Sequence, residues 1–343
     1  MIALAEAIAA WPEFELRVCL KLVGSEDIRD DLRIMTSSLV APVSFVRRGT
    51  KELLEQIRWA DLVHGQNASP DIAIPSRVLG KKVVLSIHNW LRPDLNLHSV
   101  LWRLSARLAH RRWYNSRFVW NTWEPTGKRS GSDCVPTICR LPAPAGASAD
   151  AERRGFLFVG RWIENKGLDD LVHAYAAAGL DTERWPLILL GDGPLRRRIN
   201  GLVAELGIRG VRMPGFVDDR TKAAWFARAR WLVAPPRTRE DLGLTPIEAR
   251  NAGLPVIITR DGGLPDAAGD SALLAEPGDV RSLIECLRKA AAMTEAEYSY
   301  RACRGRETLR DFLRPMTFYR ASYHELLGIH CTGDVRSLDY DVP

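Results

Sequence analysis

Short apolar runs alternate with stretches whose apolar residues recur every three to four positions, and the alternation continues along most of the chain. The short runs read as strands buried on both faces, and the amphipathic stretches as the helices that cover them. Together they predict βαβ units and parallel sheets. In the first half the strands fall at about 14–22, 43–47, 61–64, 82–88 and 117–120, with helices at 1–10, 51–59 and 97–111. The segment LPAPAGASAD at 141–150 has no periodicity and reads as a linker. The pattern then restarts, with strands near 155–160, 187–191, 230–234 and 255–259. Helices follow at about 167–178, 195–206, 219–229, 246–252, 279–292 and 295–313. A last helix is predicted near 315–327, and 328–343 reads as a loosely held tail.

Composition narrows the class. A chain of 343 residues with 46% hydrophobic and 26% charged residues fits two globular domains of ordinary size. No apolar run approaches the ~18 residues that a membrane span needs. The first residues carry Glu6 and lack a basic start, so they do not read as a signal peptide. Six cysteines are scattered without a Cys-x-x-Cys pair, which predicts a reduced, cytoplasmic chain without structural zinc.

The densest chemistry lies in Arg239-Glu-Asp-Leu-Gly-Leu-Thr-Pro-Ile-Glu248. Glu240 and Glu248 stand eight positions apart, with Gly243 between them and a helix start at Thr245-Pro246. A loop that opens a helix presents free amides and a positive dipole end, which suits a phosphate. Ionised carboxylates beside it can hold sugar hydroxyls. A plainer reading competes: Thr245-x-x-Glu248 has the spacing of a capping box, with Pro246 at the first helical position. That reading leaves Glu240 unexplained.

Four more segments accompany this one. They are Gly155-Phe-Leu-Phe-Val-Gly-Arg161-Trp-Ile-Glu-Asn-Lys166-Gly, Pro186-Leu-Ile-Leu-Leu-Gly-Asp-Gly-Pro194, Gly215-Phe-Val-Asp-Asp-Arg-Thr-Lys222 and Pro255-Val-Ile-Ile-Thr-Arg-Asp-Gly-Gly-Leu-Pro265. In this order and spacing the set resembles the donor domain of retaining GT-B glycosyltransferases of family 4, over about residues 154–290. The resemblance implies two Rossmann-like, doubly wound parallel-sheet domains facing a central cleft. It divides the chain into a first domain at 1–141, a linker at 142–152, a donor domain at 153–313, and a returning helix with tail at 314–343. The start departs from the family. Residues 1–10 already read as the first helix and Trp11–Val18 as the second strand. An initial strand and Gly-rich loop are then missing. Either the true start lies upstream or this form is impaired, and a missing central strand is expected to lower stability.

The resemblance implies metal-independent transfer of a sugar from a UDP- or GDP-linked donor, with retention. Arg161 and Lys166 would neutralise the diphosphate, Glu240 would hold the donor sugar, and Glu248 the ribose hydroxyls. Gly243 and the amides of Leu244 and Thr245 would meet phosphate. Phe216 and Val217 would lie against the base, and Lys222 matches a position that is basic in relatives. In the first domain His88 would face the reaction centre, although Asn89 stands where relatives often have Asp; His64 is a weaker second candidate. No metal or other cofactor is implied.

Charge adds one surface. Residues 1–150 hold +5 of the net +6. Within 102–129, Arg103, Arg107, Arg111, Arg112, Arg117, Lys128 and Arg129 face only Glu124, and Trp102, Trp113, Trp120 and Trp123 interleave with them. Arg103, Arg107 and Arg111 are spaced to line one helix face. Such a face suits anionic lipid and an acceptor held as a glycan or polyprenyl diphosphate at the inner membrane surface, or is an ordinary solvated face over buried Trp. Nucleic acid is disfavoured, because no nucleic-acid motif accompanies the charge. Competing functions are a nucleotide-sugar epimerase or phosphorylase on the same scaffold, or a non-catalytic nucleotide-sugar-binding protein.

Overall fold

The computed structural model describes residues 2–22, 29–94, 96–138 and 153–329. The expected linker and nearly all of the tail lie outside them. The chain divides into two units, residues 1–140 with 313–341, and residues 141–312 with 342–343.

The first unit runs α1 (Ile2–Ala9), β1 (Val18–Leu22), α2 (Arg29–Met35), β2 (Val43–Arg47), α3 (Lys51–Trp59), β3 (Leu62–Gln66), α4 (Pro70–Val78), β4 (Lys82–Ile87), α5 (Leu97–Leu108), β5 (Arg111–Tyr114), α6 (Arg117–Trp123) and β6 (Ser132–Cys134). Its strands form a parallel pair, β1–β2, and a four-stranded parallel sheet in the order β3-β4-β5-β6. Two expectations fail here. Residues 117–120 are helix, because the Ser116 hydroxyl caps the Val119 amide at 3.1 Å and the strand is already spent on Arg111–Tyr114. A short apolar run carries no period that separates helix from strand. The preceding helix stops at Leu108, so Arg111 sits on β5 and does not extend the row of Arg103 and Arg107. The tryptophans are largely core: Trp113 and Trp123 are buried, and Trp102 and Trp120 pack against the same interior. Arg112 is buried too, and pairs with Glu124 at 3.4 Å.

The second unit runs β7 (Arg154–Val159), a 3-10 turn (Glu164–Lys166), α7 (Leu168–Ala178), β8 (Leu187–Leu190), α8 (Arg196–Glu205), β9 (Val211–Gly215), α9 (Asp219–Arg228), β10 (Ala229–Ala234), α10 (Leu244–Asn251), β11 (Val256–Thr259), α11 (Leu264–Ala268), β12 (Leu273–Ala275), α12 (Val280–Ala291) and α13 (Glu295–Phe312). Its six strands are parallel, in the order β12-β11-β10-β7-β8-β9. Alternate residues feed two cores. Phe156, Phe158, Trp231 and Val233 face α7 and α12, while Leu157, Leu232, Val256 and Ile258 face the α9–α10–α11 side. Burial on both faces explains why these strands appear as unbroken apolar runs. After α13 the chain enters α14 (Met316–Leu327), which belongs to the first unit. There Tyr319 and Tyr323 pack on Trp113, and Arg320 and His324 both bond to Glu13. Among the described residues no helix is long and apolar enough to cross a membrane.

Arg250 on α10 holds three helices of the second unit together. It is 2% exposed and donates to Gly305 O at 2.9 Å, Ala267 O at 2.6 Å and Thr308 Oγ1 at 2.8 Å. Burial pulls its pKa down to about 10, which leaves it charged at neutral pH. Arg250→Ala strands three acceptors and opens a cavity, so it should lower the unfolding free energy by about 3 kcal/mol or more. Urea unfolding measures this. A loss below about 1 kcal/mol would show that α10, α11 and α13 do not depend on the clasp.

Candidate functional site

Read outward from β7, the strand order is β7-β8-β9 on one side and β10-β11-β12 on the other. The chain order therefore reverses between β7 and β10, and in open parallel sheets ligands bind at the carboxyl edge of such a reversal. Both loops at this point carry the chemistry predicted from the sequence. The loop after β7 holds Arg161 and Lys166; the loop after β10 holds Glu240 and Gly243 and opens α10, which carries Glu248.

Local structure explains how these side chains are presented. Trp162 is 1% exposed and its indole N–H points at Leu190 O, so it plugs the sheet end and leaves its neighbour Arg161 in solvent. Among the described residues Arg161 makes no ion pair or side-chain hydrogen bond. Lys166 ends the 3-10 turn, and Gly167 follows with φ +69°, where a Cβ would collide with Pro235 O. The Arg237 amide donates to Asn165 O at 2.9 Å, and the Arg237 guanidinium grips Asp170 with two bonds of 2.5 Å. These contacts dock the β10 loop on the β7 turn. From the other side Gly263 N donates to Glu240 O at 2.7 Å, and Gly262 has φ +56° with no room for a Cβ against the Glu240 backbone. Glu240 is thereby pinned by its main chain.

The two loops meet through charge. Lys166 Nζ lies 2.6 Å from Glu240 Oε1, and Lys222 Nζ on α9 lies 3.0 Å from Glu248 Oε1 and 3.1 Å from Asp219. Burial raises the Glu248 pKa, opposed by Lys222. Burial works against the charge on Lys222, but Glu248 and Asp219 prevail and its pKa rises.

The capping-box reading fails. Gly243 is the N-cap of α10 and makes no side-chain bond, the helix begins at Leu244, and Thr245 lies inside its first turn. Thr245 Oγ1 points to Val159 O at 3.4 Å, across to the end of β7, and Glu248 is bound by Lys222 instead of the cap amide. The first-turn amides of Leu244 and Thr245 have no intrahelical acceptor, as at any helix start, and they open beside the β7 loop. Phe216 follows β9, the edge strand two places from β7, and is 85% exposed, while Val217 packs into the core. Sequence reasoning missed the bracing contacts: Asn165, Arg237 and Asp170, and the Gly262-Gly263 turn under Glu240. The Gly-Gly pair after an apolar strand was their only sequence signal.

His88 stands at the carboxyl end of β4 in the first unit. Its Nε2 donates to Gln66 Oε1 at 2.7 Å, and its Nδ1 accepts from Thr137 Oγ1 at 3.0 Å. Burial pulls its pKa down to about 4, so the ring is neutral at physiological pH. Asn67, with φ +63°, accepts the His88 amide through Oδ1 at 2.9 Å. His64 has both nitrogens occupied, by Tyr323 OH and Ser86 Oγ at 2.8 Å each, and ties β3 and β4 to α14. Among the described residues no three His, Cys, Asp or Glu side chains are grouped as metal ligands would be.

Comparison with known proteins follows the same division. Residues 153–292 match the family described as glycosyl transferases group 1. Over 158 residues the chain is 30% identical to the O-antigen chain mannosyltransferase B of Escherichia coli, covering 45% of this chain and 39% of that protein. Over 139 residues it is 30% identical to the D-rhamnosyltransferase WbpZ of Pseudomonas aeruginosa, covering 39% of this chain and 35% of that one. The chain thus spans well under half the length of the curated relatives it matches. Among solved structures, Anabaena Alr3699/HepE in complex with UDP superposes with a TM-score of 0.76 at 16% identity, covering 95% of each chain. The lipopolysaccharide outer core galactosyltransferase WaaB, apo form, gives 0.66 at 16% identity over 90% of this chain and all of that one. At such identities the likeness shows the fold, which is that of GT-B proteins with two Rossmann-like α/β units.

The Lys166–Glu240 contact yields a test in the ligand-free protein. Lys166→Met leaves Glu240 pinned without its cation, so the Lys166→Met/Glu240→Gln double variant should lose less stability than the two single losses add up to. The coupling free energy should be about 1 kcal/mol or more in a denaturation double-mutant cycle. Additive effects would show that the two side chains do not interact.

Proposed function

We propose that this chain is a glycosyltransferase that moves a sugar from a nucleoside diphosphate donor, UDP- or GDP-linked, to a glycan or lipid-linked acceptor. The transfer retains anomeric configuration, needs no metal, and serves envelope or exported polysaccharide synthesis in the cytoplasm or at the inner face of the membrane. One observation carries the reading: two cationic and carboxylate-bearing loops and a helix start converge where the chain order of the second sheet reverses. The names of the matched relatives, a mannosyltransferase and a rhamnosyltransferase, agree with it, as does the UDP held by a protein of the same fold.

In this reaction the bond from the anomeric carbon to the diphosphate oxygen breaks, and a bond from the acceptor hydroxyl oxygen to that carbon forms on the same face. The acceptor proton passes to the departing phosphate oxygen. Negative charge grows on the diphosphate, and fixed cations and amides aimed at it lower the barrier. Among the described residues Arg161 has no side-chain partner to release, and it is read as the first phosphate ligand, gripping with its planar fork. Lys166 is read as exchanging Glu240 for phosphate, which frees Glu240 to accept from the hydroxyls of the donor sugar. The amides at Gly243, Leu244 and Thr245 complete the phosphate cradle. Glu248 takes the ribose hydroxyls with Lys222 beside it, and the exposed Phe216 with the Val217 backbone flanks the base. These positive groups supply the charge that a divalent ion would bring. His88, neutral, is read as exchanging its Gln66 or Thr137 partner for a sugar hydroxyl.

Two measurements test this. UDP or GDP at a hundredfold excess over its dissociation constant should stabilise the chain by ~2.7 kcal/mol, seen as a raised melting temperature; no shift with either would remove the nucleotide site. Glu240→Gln keeps a hydrogen bond to Lys166 but loses the carboxylate. It should abolish transfer while leaving nucleotide affinity within about threefold, and undiminished turnover would reject the role given to Glu240.

A further inference from the structure

A cavity of about 510 Å³ opens in the second unit at the amino edge of its sheet. Arg153, which immediately precedes β7, and Gly253, in the turn from α10 into β11, stand on one side of it; α13 forms the other. The charged loops after β7 and β10 lie at the opposite, carboxyl edge, so the cavity is no part of the site described above. Three arginines converge on it. Arg306 and Arg310 stand one turn apart on α13, both exposed. Among the described residues neither makes an ion pair or a side-chain hydrogen bond. Their neighbours on the same helix differ: Arg301 pairs with Glu297 at 3.0 Å, and Arg304 with Asp270 at 2.9 Å. Glu307 also lines the cavity, but its carboxylate accepts from the Cys303 thiol at 3.3 Å.

The third arginine is held in place by two helix ends. Arg153 donates to Ala252 O, at the C-cap of α10, at 2.9 Å, and to Phe226 O, in the last turn of α9, at 3.3 Å. Gly253, with φ +70°, brings Arg306 to the same wall, because a Cβ there would collide with the Arg306 guanidinium. Like charges this close repel, so an anion in the cavity relieves the repulsion and gains three guanidinium forks. Phosphate suits them better than carboxylate: it offers three terminal oxygens and, as a monoester, close to two negative charges at neutral pH. Size sets the rest. A cavity of about 510 Å³ falls within the range of small-molecule sites. Beside the arginines the wall carries Ser299 and Ala302, small and uncharged, which leave room for an organic body.

We propose that this cavity is a second ligand site of the second unit, which takes a small soluble molecule carrying a phosphate monoester. Arg153, Arg306 and Arg310 hold the phosphate, and the organic body lies along Ser299 and Ala302. The inference needs neither the nucleotide site nor the transfer reaction.

Amide chemical shifts of the full chain, titrated with glycerol 3-phosphate at constant ionic strength, test it. Saturable shifts at Gly253 and along Ser299 to Arg310 are expected, and none with glycerol in sodium chloride. Arg306→Gln/Arg310→Gln should weaken binding about tenfold or more. Ser299→Glu sets a carboxylate in the cavity and should weaken it as well, which keeps the test open if the double variant folds poorly. Arg161→Gln should leave the affinity unchanged, which separates this site from the carboxyl edge. The proposal is overturned by the absence of saturable shifts at these residues, or by shifts confined to Gly160 to Lys166 and Gly243 to Thr245. Equal shifts with glycerol alone, or equal affinity in a folded Arg306→Gln/Arg310→Gln variant, overturn it too.

Discussion

In a parallel sheet every carboxyl edge runs into a helix-bound loop, and loops part only where the chain order reverses. In the second unit that place lies between β7 and β10, and its chemistry depends on keeping opposite charges there in balance. Cations clustered for a diphosphate would repel one another in the empty protein. Here they are interleaved with carboxylates: Lys166 with Glu240 and Lys222 with Glu248. Arg161 stays in solvent, where a guanidinium with no ion pair among the described residues is tolerable. A buried, unbalanced charge would be far more costly. The pairing lets a charged site persist without ligand and still leaves a cation to meet an anion.

The rigidity of that arrangement comes from main chain more than from side chains. Gly167 and Gly262 admit close backbone approaches that any Cβ would block, and the resulting contacts hold the β10 loop between the β7 turn and the β11 loop. Arg250, deep on the opposite side of α10, fixes the helix whose first turn opens at the site. Site and scaffold thus share one element, and a change that loosens α10 is felt at both ends.

Much of this was legible in the sequence where burial is two-sided. The strands at 82–87, 154–159, 187–190, 229–234 and 256–259 are apolar runs because both faces are covered, and their positions follow from composition alone. Of the four strands that escaped, β6, β9 and β12 lie at sheet edges, where one side is solvated and the apolar signal thins, and β9 even carries Pro214; the fourth, β5, is interior but opens with Arg111 and Arg112, which hide it. The stretch at 117–120 went wrong because four apolar residues have no measurable period and a Ser116 cap decides the outcome. The site residues were legible because Gly, Arg, Lys and Glu at fixed offsets after a strand form a recognisable set. Three things were not: that Glu248 answers Lys222 instead of a cap, that Arg111 leaves its helix, and that the tryptophans of the basic stretch face inward. Each is settled by tertiary contacts that no local spacing encodes.

The account turns on where a nucleoside diphosphate sits, and amide chemical shifts of the full chain during titration with UDP and then GDP report that directly. Perturbations centred on Gly160 to Lys166 and on Gly243 to Thr245, at the carboxyl ends of β7 and β10, are predicted for whichever nucleotide binds. Saturable binding that leaves those amides unmoved and shifts others at the amino ends of the strands would contradict the central claim.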